Sequence, residues 1–234
     1  RREIRNETTL GTLWTEWLEK NAKVHKRSWR QDISRWENHL KKYQHRRLSE
    51  LDTALIASIH TKIGVDTPYE ANRALALLSS MFSYARSHLG FTGHNPCGPV
   101  RRFQEVSRER FLQPSELPKF FGALEAEPDP IIKDFIWILL LTGARRSNVQ
   151  AMRWEEINLA DGIWNIKPDD SKNKNPMTIY LSAEAVEILK DRRKNVPASI
   201  PWVFPSWGKT GHLMEPKKAW RALLERSGIN DLHL

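Results

Sequence analysis

Phe135-Ile136-Trp137-Ile138-Leu139-Leu140-Leu141-Thr142-Gly143-Ala144-Arg145-Arg146-Ser147-Asn148 runs an unbroken apolar segment into a glycine and then into two adjacent arginines. The apolar segment predicts a helix over 130–141, buried against the rest of a core. It is far shorter than the roughly 20 residues that cross a bilayer, and Lys133 and Asp134 precede it. Gly143 predicts the stop, because the residue past a last helical turn takes positive φ and glycine does so without steric cost. Arg145 and Arg146 are then placed by a rigid buried element and not by a mobile surface loop. A guanidinium held in that way makes a clamp for an anion, phosphate above all. The competing reading of Arg145 is a structural arginine that caps carbonyls at the helix end.

Outward from that segment the period of the sequence changes twice. On its N-terminal side, 114–126 reads as another helix. On its C-terminal side a short helix over 147–152 is followed by two candidate strands, Gly162–Ile166 and Met177–Leu181. Between the strands lies the polar, lysine-rich stretch 167–176, long for a hairpin loop. Ser182 predicts the cap of a helix reaching Asn195, residues 202–204 a short extended piece, and 215–227 a last helix. The front of the chain is different. Apolar residues recur at three- and four-residue spacing over 8–24, 28–43, 48–63 and from Pro68 to Gly90, which predicts a four-helix bundle over 1–92. Gly, Pro, Asn and charged residues then mark 93–110 as a linker. The fold class expected is therefore mainly α with a small antiparallel β-sheet.

Charge narrows the partners. The chain of 234 residues carries a formal net charge of +9, which favours a polyanion, nucleic acid first. Residues 1–107 hold 18 Lys and Arg against 11 Asp and Glu, whereas 108–234 hold 19 against 17, so the front half supplies most of the excess. Cys97 is the only cysteine, which excludes a disulfide framework and a thiolate metal site. The setting Asn95-Pro96-Cys97-Gly98-Pro99 reads as a turn, not as a nucleophile. Ten tryptophans raise the possibility of base stacking, but Trp14, Trp17, Trp36 and Trp137 fall on apolar stripes and read as core. No secretory signal opens the chain, which starts with Arg1.

Taken together, the helical front domain, Asn95-Pro96 in the linker, Arg108-Glu109-Arg110-Phe111-Leu112 opening a second domain, and Thr142-Gly143-Ala144-Arg145 leading through Val149, Met152 and Arg153-Trp154 to a small sheet resemble the tyrosine recombinase, or phage integrase, family. The resemblance implies an N-terminal core-binding (SAM-like) DNA-binding domain over 1–92 and a truncated α+β catalytic domain over 111–234. It implies site-specific DNA strand exchange through a 3′-phosphotyrosyl link, with no cofactor and no metal. Arg145 takes the position of the first catalytic arginine. There a planar fork of donors meets the charge on the non-bridging oxygens, as a lysine could not. Arg146 falls to a neighbouring phosphate or an acidic side chain. Asn148 stands where the family often has glutamate. Lys172, or Lys174 two residues on, is the lysine that donates a proton to the departing 5′ oxygen. The H-x-x-R motif and the nucleophile are expected beyond Leu234, since Tyr43, Tyr69, Tyr84 and Tyr180 belong by pattern to helices or a strand; the 234 residues alone are expected to bind DNA without cleaving it. An arm-binding domain ahead of Arg1 is open.

For the duplex itself the candidates are Lys26, Arg27, Arg30, Asn72, Arg73, Arg101 and Arg102, with Arg146 and Lys174 in the second domain; singly, each of the first-domain residues reads as a solvated charge ahead of a base reader, and as a set they make a groove. The partners implied are double-stranded DNA and three further copies of the chain as a homotetramer, with accessory DNA-bending proteins possible and no membrane. The setting implied is the bacterial cytoplasm, near the nucleoid, for a bacterial or phage-encoded protein. The rival reading is a non-catalytic sequence-specific DNA-binding protein with a degenerate recombinase fold.

Overall fold

The computed structural model describes residues 8–107, 109–167 and 175–234, which fall into two compact units, Arg1–Arg108 and Glu109–Leu234. Each unit closes its own hydrophobic core. Among the described residues no helix is long and apolar enough to cross a membrane.

In the first unit, Thr9 caps α1 (Leu10–Trp17) by accepting a hydrogen bond from Thr12 N at 3.2 Å. The helix widens into a π-helical turn, Leu18–Ala22, before α2 (Lys23–His25). The extra residue in that turn has a use: it buries Ala22, where regular 3.6-residue winding after Trp17 would bring in Asn21. A second π-helical turn, Trp36–Leu40, extends α3 (Trp29–Arg35), and Trp36 and Leu40 at its two ends are buried. Trp14 stacks on Trp36 with ring centroids 4.7 Å apart. The third expected helix is split. A 3₁₀ turn covers Leu48–Glu50, and Asp52 then caps α4 (Thr53–Gly64) through Leu55 N at 2.7 Å. α5 (Pro68–His88) starts on Pro68, whose missing N–H costs nothing in a first turn, and packs along α4.

Composition marks 93–110 as a linker, yet much of it is packed. Cys97 is buried in the first core, and Val100 and Phe103 lie against it. Burial pushes the Cys97 thiol up to about 12, which suits a packing residue and not a nucleophile. What the composition could not show is that Asn95 donates to Ser79 O at 3.1 Å and that polar side chains of α5 hold the segment as far as Val106.

The second unit contains α6 (Leu117–Glu125), α7 (Pro130–Thr142), α8 (Arg146–Gln150), α9 (Ala183–Asn195) and α10 (Lys217–Ser227). Its antiparallel sheet has the order β1 (Ile157–Asn158), β2 (Ile163–Ile166), β3 (Met177–Tyr180), with Trp164 paired to Ile179. β1 is two residues long, too short to leave a period in the sequence. The extended piece around Val203 docks on the chain ahead of β1, through Val203 N to Met152 O at 2.9 Å. Phe135 on α7 meets Phe204 edge-on at 5.6 Å, which seats α7 in the core. α7 is not buried all round: Leu140 is 45% exposed.

Candidate phosphate-binding elbow

The turn after α7 is built from backbone. Gly143 has φ 59° and ψ 14°, and its N–H donates to Leu139 O at 3.0 Å. Thr142 Oγ1 donates back to Ile138 O at 2.6 Å and accepts from Ala144 N at 3.3 Å. Arg145 is extended and starts α8, its carbonyl accepting from Asn148 N at 2.9 Å and Val149 N at 3.2 Å. Val149 and Asn148 are buried, so the main chain of Arg145 is pinned between a helix that stops and a helix that starts. Its side chain is exposed, and among the described residues its guanidinium has no hydrogen-bond or ion-pair partner. A cation fixed at its root and unpaired at its tip can take an incoming oxyanion without first breaking an internal bond.

Arg146 is committed elsewhere. It pairs with Glu215 at 3.3 Å and donates to Leu234 O at 3.4 Å. Glu215, just ahead of α10, is held below the usual carboxylate range chiefly by its hydrogen bond with Lys217. Nothing near Arg146 in sequence announces Glu215, which is why only the fold reveals it. Beside the elbow, Leu139, Leu140, Phe120, Trp220 and Leu232 line an apolar recess of about 540 Å³, to whose lining Arg110 and Arg146 also belong. Arg110 makes a two-pronged pair with Glu116 at 2.9 and 2.7 Å. Asn148 is 5% exposed, and among the described residues its Nδ2 has no hydrogen-bond partner. Lys172 and Lys174 lie outside the described residues. The strand before them is anchored, with Lys167 on Glu155 at 2.7 Å.

The sequence-derived contacts of the first unit separate into three groups. Lys26 is drawn onto buried Asp32 at 2.5 Å and lies over the Trp17 ring, while Arg30 stacks on Trp29 at 4.4 Å. Arg27 is exposed. Arg73 pairs with Glu105 at 2.9 Å, and Arg101 and Arg102 are exposed with no partner among the described residues. Asn72 requires a correction. It is 2% exposed and bonds inward, so the surface position expected of a DNA contact is not where its amide lies.

The phage integrase family model matches residues 110–234, the whole of the unit that carries the elbow except its first residue. Among curated relatives, the prophage integrase IntF of Escherichia coli K12 is 28% identical over 181 residues, covering 74% of this chain and 39% of that protein. The shufflon-specific DNA recombinase of Escherichia coli is 30% identical over 231 residues, covering 92% of this chain and 56% of that protein. The chain thus spans between about two-fifths and three-fifths of these relatives. Among solved structures, a lambda integrase tetramer bound to a Holliday junction superposes with a TM-score of 0.71 at 17% identity, covering 98% of this chain and 66% of that one. That likeness speaks for the fold; with the family match over more than half of its length, the chain belongs to the phage integrase family of tyrosine recombinases.

Proposed function

We propose that the protein carrying this chain is a tyrosine-type site-specific recombinase, an integrase that binds duplex DNA and exchanges strands through a 3′-phosphotyrosyl intermediate. Residues 1–92 form its core-binding DNA-binding domain and 111–234 the N-terminal part of its catalytic domain. The observation that carries this reading is Arg145, a guanidinium held by two helix ends and left without an anionic partner among the described residues. Its counterpart in the reaction is the scissile phosphate. A tyrosine oxygen attacks phosphorus, the bond to the 5′ oxygen breaks, and that oxygen leaves with a proton. Arg145 gathers the charge on the non-bridging oxygens, and Lys172 or Lys174 supplies the proton. Arg146, tied to Glu215, braces the turn. Neither a metal nor a nucleotide is needed, because the phosphodiester energy is kept in the covalent link. None of the tyrosines of the chain is assigned the attack: Tyr43 ends a 3₁₀ turn, Tyr69 and Tyr84 lie on α5, and Tyr180 ends β3.

The named relatives act as prophage integrases and as a recombinase, and the lambda structure holds four subunits on a Holliday junction. By that likeness we assign this protein a homotetramer on two duplex sites, in a bacterial cell. Incubating the full-length protein with a nicked duplex bearing its site is expected to trap a covalent adduct. Arg145→Lys is expected to abolish the adduct while largely sparing DNA affinity. No adduct from the wild type would favour the non-catalytic reading. A loss of affinity equal to the loss of adduct would make Arg145 a binding residue only.

A further inference from the structure

The segment after Pro99 is tied to α4 and α5 by a clasp centred on Asn72. Four hydrogen bonds use up that side chain. Oδ1 accepts from Phe103 N at 3.0 Å and faces His60 Nε2 at 3.0 Å, while Nδ2 donates to Phe103 O at 2.9 Å and Glu105 Oε1 at 2.9 Å. The oxygen can serve both neighbours only as an acceptor, so the ring of His60 presents Nε2–H. Phe103 stacks on His60 with centroids 4.6 Å apart. Its ring also enters a place that only glycine leaves open, since a Cβ on Gly64 would lie 2.1 Å from it. Farther along, Arg73 takes the second oxygen of Glu105 at 2.9 Å, and Tyr69 donates to Val106 O.

The charges are sorted by this arrangement. The only acidic group of 101–106, Glu105, is tied up by Asn72 and Arg73. Arg101 and Arg102, next to the clasped Phe103, are exposed and unpaired among the described residues. A basic segment that is disordered in the free protein must be ordered when it binds, at a cost of backbone and side-chain entropy for each residue fixed. Here the buried side chains of α4 and α5 have met that cost beforehand.

We infer that Asn72 is the positioning residue of a pre-ordered cationic arm, 101–106, which presents Arg101 and Arg102 to the phosphodiester backbone of duplex DNA. This rests on the DNA-binding reading above, and it turns Asn72 from a contact into the support of two contacts. Order and charge can be removed separately. Asn72→Ala leaves every arm charge in place but unties the arm, so affinity falls with the salt dependence unchanged. Replacing both Arg101 and Arg102 by Ala keeps the arm tied but lowers the log–log salt slope by about 0.9 for each phosphate that is no longer neutralised.

The test pairs amide hydrogen exchange of the free protein with binding to a short duplex of arbitrary sequence over a series of salt concentrations. In the wild type the Phe103 amide is expected to exchange slowly. Asn72→Ala, and Phe103→Ala as a second route that takes the ring away from Gly64 and His60 but spares the His60–Asn72 bond, are expected to loosen the arm and weaken binding about five-fold or more at constant slope. The double arginine variant is expected to keep the protection at Phe103 and lose slope. Fast exchange at Phe103 in the wild type, or untied variants that bind as tightly as the wild type, overturns the inference, as does an unchanged slope in the double variant. A wild-type chain with no salt-dependent binding at all sinks the DNA-binding reading itself and takes the inference with it.

Discussion

Arg145 and Arg192 belong to the same unit and do opposite work. Arg145, at the elbow after α7, is exposed and has no partner among the described residues. Arg192, near the end of α9, is 6% exposed and bonded inward. It donates to Val203 O at 2.7 Å, to Asp134 at 2.6 Å and to Pro130 O at 3.3 Å, and lies over the Phe204 ring at 5.0 Å. It therefore joins α9 to the start of α7 and to the extended piece at Val203. The contrast separates an arginine spent on the fold from one kept for something outside it. Charge, composition and even position beside a helix end are common to both.

Breaking that contrast should give its largest stability effect at Arg192. Arg192→Ala removes one partner of a mostly buried pair and leaves Val203 O without its donor, for a cost of about 3–5 kcal/mol. Burial already pushes the Asp134 carboxyl above its ordinary value against the pull of Arg192, so in the variant Asp134 can take up a proton and the cost should fall near the lower end. Arg145→Ala should change stability by less than about 0.5 kcal/mol, as exposed groups without contacts do. Urea unfolding of the two variants checks both. A large loss at Arg145 would mean that it caps the helix and holds no free charge in reserve.

The same contrast shows what could be read from the sequence. The elbow was legible because its determinants are local: an apolar run, a glycine that stops it, and the arginine two residues later. The four helical stripes of the first unit were legible for the same reason, as were β2, β3 and the cap at Ser182. What the sequence could not show depended on partners far along the chain. Arg192 looks like one more charge in Asp191-Arg192-Arg193-Lys194 until α7 is laid beside it. Asn72 looked like a DNA contact because its partner Phe103 is 31 residues away, in a stretch whose glycines and prolines read as linker. Glu215 was invisible beside Arg146 for the same reason. The π-helical turns also escaped, since a 3.6-residue template has no place for an added residue.

A smaller effect sharpens the elbow itself. Gly143→Ala puts a side chain at φ 59°, where a Cβ would meet no atom within 4 Å. The cost is therefore conformational alone, about 1–2 kcal/mol. If the elbow works by fixed placement, adduct formation should fall by more than the population of folded protein does, because the strain is relieved by moving Ala144 and Arg145. Comparing the fall in adduct with the folded fraction at the assay temperature decides the point. Parallel losses would show that the turn contributes stability only.

The smallest effect concerns Arg110, which stands between the two extremes: paired like Arg192, but at the surface. Its bond to Glu116, with the hydrogen bond from Gln113 N second, holds the Glu116 carboxyl below its ordinary value of 4.5. A carboxyl lowered in the folded state stabilises the fold above its unfolded value and loses that contribution as pH falls through the folded value. Wild type and Glu116→Gln should thus differ in Tm at pH 7, and the gap should close as the pH is lowered below about 4.5. Added salt should narrow it at pH 7, since a pair at the surface is screened and one buried like Arg192–Asp134 is not. A gap that survives acid would mean that Glu116 acts by shape and hydrogen bonding to Gln113, and that charge at Arg110 is as unspent as at Arg145.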